Sequence, residues 1–152
     1  MGFGAMIKHS IVPTVLNVIL GSVAAAILLV PVVNFLYICA GPLGYILSAI
    51  IFMWAGHRLV KNGDGGLGSA AGAGFISGLA SSIIVSIINA VAIAASGGLS
   101  GVAGGSGSAA VAGAVAGGGF GLVGGILGII VWPIAGAVFA LLGGFIAGPQ
   151  KK

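Results

Sequence analysis

The chain has 152 residues, 59% of them hydrophobic and 4% charged, with a mean hydropathy of +1.32. Five basic residues and one acid give a net charge of +4, too few and too scattered to solvate a water-soluble domain of this size or to form a nucleic-acid-binding patch. The 31 glycines sit inside apolar runs with no G-X-Y period, and Cys39 is the single cysteine, which excludes a collagen-like chain and an internal disulfide. What remains is an all-α, polytopic membrane protein forming a single integral membrane domain over residues 1–152.

The first ten residues carry Lys8 and His9 ahead of an apolar run. Met6 stands where a myristoylation signal wants Ser or Thr, so that modification is not expected. Lys8, the apolar run 11–20 and the small residues 22–26 mimic a secretory signal. With the sequence starting at Met1, the run is read instead as the first membrane helix, about 11–30. Pro31 and Pro42 bracket an apolar, punctuated segment and are both expected breaks, because Pro disfavours helix in the residue before it. Asn34 and Tyr37 give that segment the character of a membrane interface. A second helix is expected over about 42–60, with Pro42 in its first turn and Trp54, His57 and Arg58 near its far end.

Residues 61–66, KNGDGG, form the plainly hydrophilic turn inside the chain. Asp64 is a candidate cap for the third helix, expected over about 67–95. That helix organises the rest. Every fourth position is small (Ala70, Gly74, Gly78, Ser82, Ser86, Ala90, Ala94), which lines up as one groove along its length. The 25 residues from Ala70 to Ala94 span roughly 37 Å, enough to cross a hydrocarbon core of about 30 Å with some tilt. Small residues matter in lipid because helices there associate through close packing, without a hydrophobic drive between them.

Residues 96–119 are almost wholly Gly, Ala, Ser and Val and read as a Gly-rich connector: a loop, a re-entrant segment, or a helix held only by tight neighbours. Gly113, Gly117, Gly121 and Gly125 repeat the spacing of four. A final helix is expected over about 120–147, kinked at Pro133, with a further small-residue row at Gly136, Ala140, Gly144 and Gly148. The candidate helix-packing residues are therefore Gly74, Gly78, Ser82, Ser86, Gly113, Gly117, Gly121, Gly125, Gly136 and Gly144.

Four crossings put the N-terminus, the 61–66 turn and the C-terminus on one side. Lys8, Arg58, Lys61, Lys151 and Lys152 then share that side, which the positive-inside rule makes cytoplasmic. The expected location is a cell membrane.

Chemistry is sparse. His9, His57, Cys39, Asp64, Tyr37 and Tyr45 are spread between both faces, and no two metal ligands stand three or four apart on one helix. No enzyme activity, metal or cofactor is expected. His57, Arg58 and Asp64 could form a small polar cluster that marks the membrane boundary, and Arg58 with Lys61 could hold a lipid headgroup. Residues 63–68 match G-x-G-x-x-G, but a nucleotide site needs a preceding strand that a membrane hairpin does not supply. A proton-driven rotor subunit is excluded because no span contains Asp or Glu. Asn17, Ser22, Ser48, Ser77, Ser81, Ser82, Ser86 and Asn89 are the polar residues of the spans, expected to hydrogen-bond between helices.

Pro42-Leu43-Gly44, Ala55-Gly56-His57, the GDGG turn and the Gly-rich start of the third helix resemble a group of small archaeal membrane proteins. Those have four predicted spans and no assigned function. The likeness covers residues 40–90 and implies fold and topology only.

The function expected is that of a non-enzymatic structural or accessory subunit, packing with itself or with other membrane subunits and with lipid. The alternatives are a small channel or transporter for a neutral solute, and a virion or pilus-like lipid-associated subunit. Topology is directly testable. In a Cys39→Ala background, cysteines introduced at Asn62 and near Lys151 should label from the cytoplasm only, and one at Ser100 from outside. Opposite labelling of the two cytoplasmic probes would refute four crossings.

Overall fold

A computed structural model describes residues 3–30, 37–105 and 107–148. Among these, the chain forms four helices and no strand: α1 (Phe3–Leu29), α2 (Tyr37–Lys61), α3 (Leu67–Ala103) and α4 (Gly107–Ile146). All four are long and apolar enough to cross a membrane. Helices are what an apolar chain must form in lipid, since only they satisfy every backbone N–H and C=O within one segment. Pro31, Asn34, Lys151 and Lys152 lie outside the described residues.

The helix ends differ from the expected ones in an informative way. α1 starts at Phe3 rather than near residue 11, so Lys8 and His9 ride on its first turns and Pro13 lies inside it. α2 starts at Tyr37, which puts Pro42 inside the helix instead of at its first turn. Gly66, not Asp64, is the N-cap residue of α3, and no side chain caps that end. The Asp64 carboxylate instead lies 3.2 Å from His9 Nε2.

The largest difference is at residues 96–119. α3 continues to Ala103 and α4 begins at Gly107, so the connector shrinks to a tight turn. Gly105 takes φ +80° in that turn, a left-handed conformation suited to glycine. Of the expected forms, the helix held by a neighbour is the one seen. A Cβ built on Gly97 would fall on the Gly113 carbonyl, and one on Gly113 would fall on that of Gly97. The poor helix propensity of this stretch is offset by contact between two backbones.

Those contacts run down the whole pair. Gly74 faces Gly136, Gly78 faces Trp132 and Pro133, Ser86 faces Gly125, Ile93 faces Gly117, and Gly97 faces Gly113. Numbers rise on α3 as they fall on α4, so the two are antiparallel, and theirs is the most extensive helix contact in the fold. α1 lies parallel to α3, with Met6 against Gly72 and Gly21 against Val85. α2 lies along α4 from Tyr45 beside Trp132 to Val60 beside Gly144. Among the described residues α1 and α4 do not pack on each other. The result is an up-down-up-down bundle. Its turn end gathers the start of α1, residues 62–66 and the end of α4, and its tip end is the α3–α4 turn.

The turn half of the bundle is the tighter half. Leu59, Val60, Ala70 and Ala73 form a buried cluster under Ala147. Nearby, Cβ atoms on Gly56 and Gly143 would fall on the carbonyls of Ala140 and Met53. Two substitutions test the role of missing side chains. A Cβ at Gly78 would lie 2.5 Å from the Trp132 oxygen, so Gly78→Leu should cost on the order of 1–3 kcal/mol and lower the Tm in detergent more than Leu79→Ala does. Gly68 has nothing within 4 Å of its built Cβ, and Gly68→Ala should leave Tm unchanged or raise it, because alanine is favoured over glycine in a helix by up to about 1 kcal/mol. Equal Tm for Gly78→Leu and the parent would show that the close approach contributes nothing.

Candidate functional site

The four helices line a half-open cavity of about 480 Å³ in the tip half of the bundle. Asn17 of α1, Ser48 of α2 and Ser81, Ser82, Ser86 and Asn89 of α3 bring polar groups to it. Two of the span polar residues, Ser22 and Ser77, stay outside this lining. Glycine makes the room: Gly44 lines the cavity with open space where its Cβ would stand. Toward the turn end the bundle is packed, with Pro13, Phe52 and Ser77 fully buried.

Contrary to the interhelical bonding expected from the sequence, the hydroxyls of Ser22, Ser81 and Ser82 bond within their own helices. Ser81 donates to the Gly78 carbonyl at 3.3 Å and Ser82 to that of Leu79 at 2.9 Å. Ser22 likewise donates to Val18 at 2.8 Å. A helical Ser or Thr reaches the carbonyl one turn back, which satisfies its proton without a partner helix. Two links do cross between helices. Ser86 donates to the Gly125 carbonyl at 3.2 Å, and the Thr14 and Ser77 oxygens lie 3.2 Å apart while Thr14 donates to Ser10. Asn17 donates to the Pro13 carbonyl at 2.9 Å.

Asn89 is the exception. Its Oδ1 is buried with no hydrogen-bond partner among the described residues. Leaving such an acceptor unpaired costs about 1–3 kcal/mol. None of the lining residues is Asp, Glu, Lys, Arg or His. A second, shallower groove of about 590 Å³ runs between α2 and α4 and is mostly apolar. Tyr45, Gly124, Gly128 and Trp132 line both spaces, and the Tyr45 and Trp132 ring centroids lie 5.5 Å apart.

The sequence-derived packing residues distribute as follows. Gly74, Gly78, Gly113, Gly117, Gly125 and Gly136 have backbone or side-chain atoms of the facing helix within 3 Å of a built Cβ. Gly144 meets Val60, Leu67 and Ala70 side chains at 3.0–3.3 Å. Ser82 and Ser86 face the cavity, and Gly121 lies within α4. At the turn end Arg58 and Lys61 are exposed. The Arg58 guanidinium carbon stands 5.4 Å from the Trp54 ring centre, a cation–π contact. The expected trio of His57, Arg58 and Asp64 is not formed, because Asp64 pairs with His9 and Arg58 turns to Trp54. Among the described residues no three His, Cys, Asp or Glu side chains come together.

No protein-family model, curated protein or solved structure matches this chain.

Ions need charged rings, ordered carbonyls or paired acids to replace hydration along a continuous path. The cavity has an uncharged lining, and the bundle is packed toward the turn end. Purified protein in liposomes should therefore carry no measurable proton, sodium or potassium current. Reproducible single-channel steps abolished by Ser81→Leu would establish a path that the packed half conceals.

Proposed function

We propose that this chain is a non-enzymatic structural or accessory membrane subunit, built to pack with further copies of itself or with other membrane proteins. The observation that carries the reading is the length of the α3–α4 hairpin. α3 has 37 residues and α4 has 40, about 55 and 60 Å at ~1.5 Å per residue, against a hydrocarbon core of about 30 Å. α1 and α2, at 27 and 25 residues, come to only about 40 Å each.

The last turns of the hairpin thus outrun the helices beside them. Val102, Val111 and Val115 there are 64–70% exposed, and no charged residue occurs from Leu67 to Gly148. An uncharged apolar rod longer than the bilayer must tilt, thicken the lipid around it or be covered by protein. Covering by protein fits the second feature of this hairpin, its glycine rows. The backbone approaches at Gly74, Gly78, Gly113 and Gly136 support a glycine-zipper packing mode for α3 on α4.

This reading puts the turn end at the cytoplasmic face, supported by Lys8, Arg58 and Lys61 gathering there. The exposure of Arg58 and Lys61 supports contact with anionic headgroups at that face. The resemblance of residues 40–90 to small archaeal membrane proteins belongs to the same proposal.

Extraction in a gentle detergent followed by mass measurement of the intact particle tests it. A particle of several copies, or one retaining other subunits, is expected. Val115→Lys at the hairpin tip should dissociate it while leaving helix content unchanged. A particle holding a single 14.5 kDa chain under every mild condition would overturn the assembly reading.

A further inference from the structure

We propose that the cavity in the tip half of the bundle is an aqueous pocket that admits small uncharged polar molecules, of the polyol or amide kind, into the apolar span. The proposal concerns one chain and goes beyond the assembly reading, holding whether or not the chain packs with others.

Polar side chains from three helices converge on this one space: Asn17 of α1, Ser48 of α2, and Ser81, Ser82, Ser86 and Asn89 of α3. The bundle satisfies only some of them. Ser81, Ser82 and Ser86 donate to the carbonyls of Gly78, Leu79 and Gly125. The Ser48 hydroxyl, by contrast, has no hydrogen-bond partner among the described residues, although Ser48 is only 9% exposed. The Asn89 amide nitrogen has none either. Of the unpaired polar atoms in the lining, Asn89 Oδ1 alone is sealed inside the protein, and it takes no part. Ser48 Oγ and Asn89 Nδ2 keep open surface. Against lipid chains these two atoms would stay unpaired, whereas water or a polar solute satisfies both.

The lining selects by balance and by charge. A serine hydroxyl donates and accepts, the Asn89 amide nitrogen donates, and the Tyr45 hydroxyl and Trp132 N–H add further donors. Water, polyols and amides carry both kinds of group, and so complement a mixed lining that a pure donor or a pure acceptor meets only in part. None of the lining residues is Asp, Glu, Lys, Arg or His, so an ion would bring in a charge that nothing there balances. The volume is about 480 Å³, against the ~15 Å³ that one water needs, which leaves room for a solute of several heavy atoms. Part of that room comes from Gly44, which has open space at its built Cβ and lies one turn before Ser48 on the same face of α2.

Thiol alkylation tests the proposal, because the thiolate is the reactive species and an apolar surrounding suppresses its formation. In a Cys39→Ala background, single cysteines replace Ser48 and Asn89 in the cavity, and Ile50 and Ile87 on the outer faces of the same helices. Ile50 and Ile87 are 55% and 62% exposed and line neither the cavity nor the groove. Each lies two residues from its cavity counterpart, and so within about 3 Å of the same depth. In nanodiscs, iodoacetamide is itself a small neutral amide. It should alkylate Ser48→Cys and Asn89→Cys at least about tenfold faster than Ile50→Cys and Ile87→Cys, the factor that one pKa unit of thiolate formation produces. Iodoacetate is similar in size but charged. Relative to their rates on a free thiol in water, it should fall behind iodoacetamide in the cavity by at least about tenfold. Adding Gly44→Leu to Ser48→Cys should slow iodoacetamide severalfold by filling the space. Ser48→Cys is nearly isosteric, so its comparison with Ile50→Cys decides alone if Asn89→Cys does not fold. Equal rates at Ser48→Cys and Ile50→Cys would show that lipid chains fill the cavity. That result, iodoacetate keeping pace with iodoacetamide, or undiminished alkylation in the presence of Gly44→Leu would each overturn the proposal.

Discussion

The fold depends on how closely α3 and α4 approach. Two helices in lipid gain little from hiding apolar surface, because the alternative neighbour is as apolar as the partner. What holds them is the dispersion energy of many atoms at contact distance, and that sum grows as the backbones near each other. Glycine at Gly74, Gly78, Gly97, Gly113 and Gly136 removes the atoms that would keep the backbones apart. α1 and α2 then pack on this pair rather than form a pair of their own: α1 lies on α3 and α2 on α4, and α1 and α2 share a smaller contact.

Polar groups follow the same economy of partners. In water an exposed serine is satisfied by solvent. In a bilayer it must find an acceptor inside the protein, and the nearest one is the carbonyl a turn back on its own helix. Ser10, Thr14, Ser22, Ser81, Ser82, Ser96 and Ser100 all take it. Serine can therefore sit in these helices without dictating which neighbour they choose. The amide of Asn89 cannot be closed off so easily, since it brings both a donor group and an acceptor oxygen.

The four apolar helices were legible in the sequence because hydropathy over some twenty residues is a long, redundant signal. Their ends were less so. Pro42 reads locally as a helix start, yet the helix begins at Tyr37 and runs through it, and Lys8 with His9 reads as a flank although the helix begins before them. Residues 96–119 show the limit of propensity. Each glycine argues against a helix taken alone, and only the facing strip on the other arm of the hairpin, such as Gly113 opposite Gly97, reverses the balance. The cavity was not legible at all. Asn17, Ser48, Ser86 and Asn89 come from three helices far apart in sequence, and nothing short of the bundle brings them to one space.

An interface made by leaving side chains out has an unusual substitutional landscape. Elsewhere in a protein, a contact that worsens through a change at one residue can be restored by a larger or smaller residue opposite. Where Gly74 meets Gly136 and Gly97 meets Gly113, both sides are already at the minimum size. No residue is smaller than glycine, so no partner can shrink to accommodate a neighbour that grows. Any change at such a position adds atoms, and the only compensation left is to move a whole helix. The crossing of α3 and α4 is thereby held by a constraint that neutral drift can break but cannot tune.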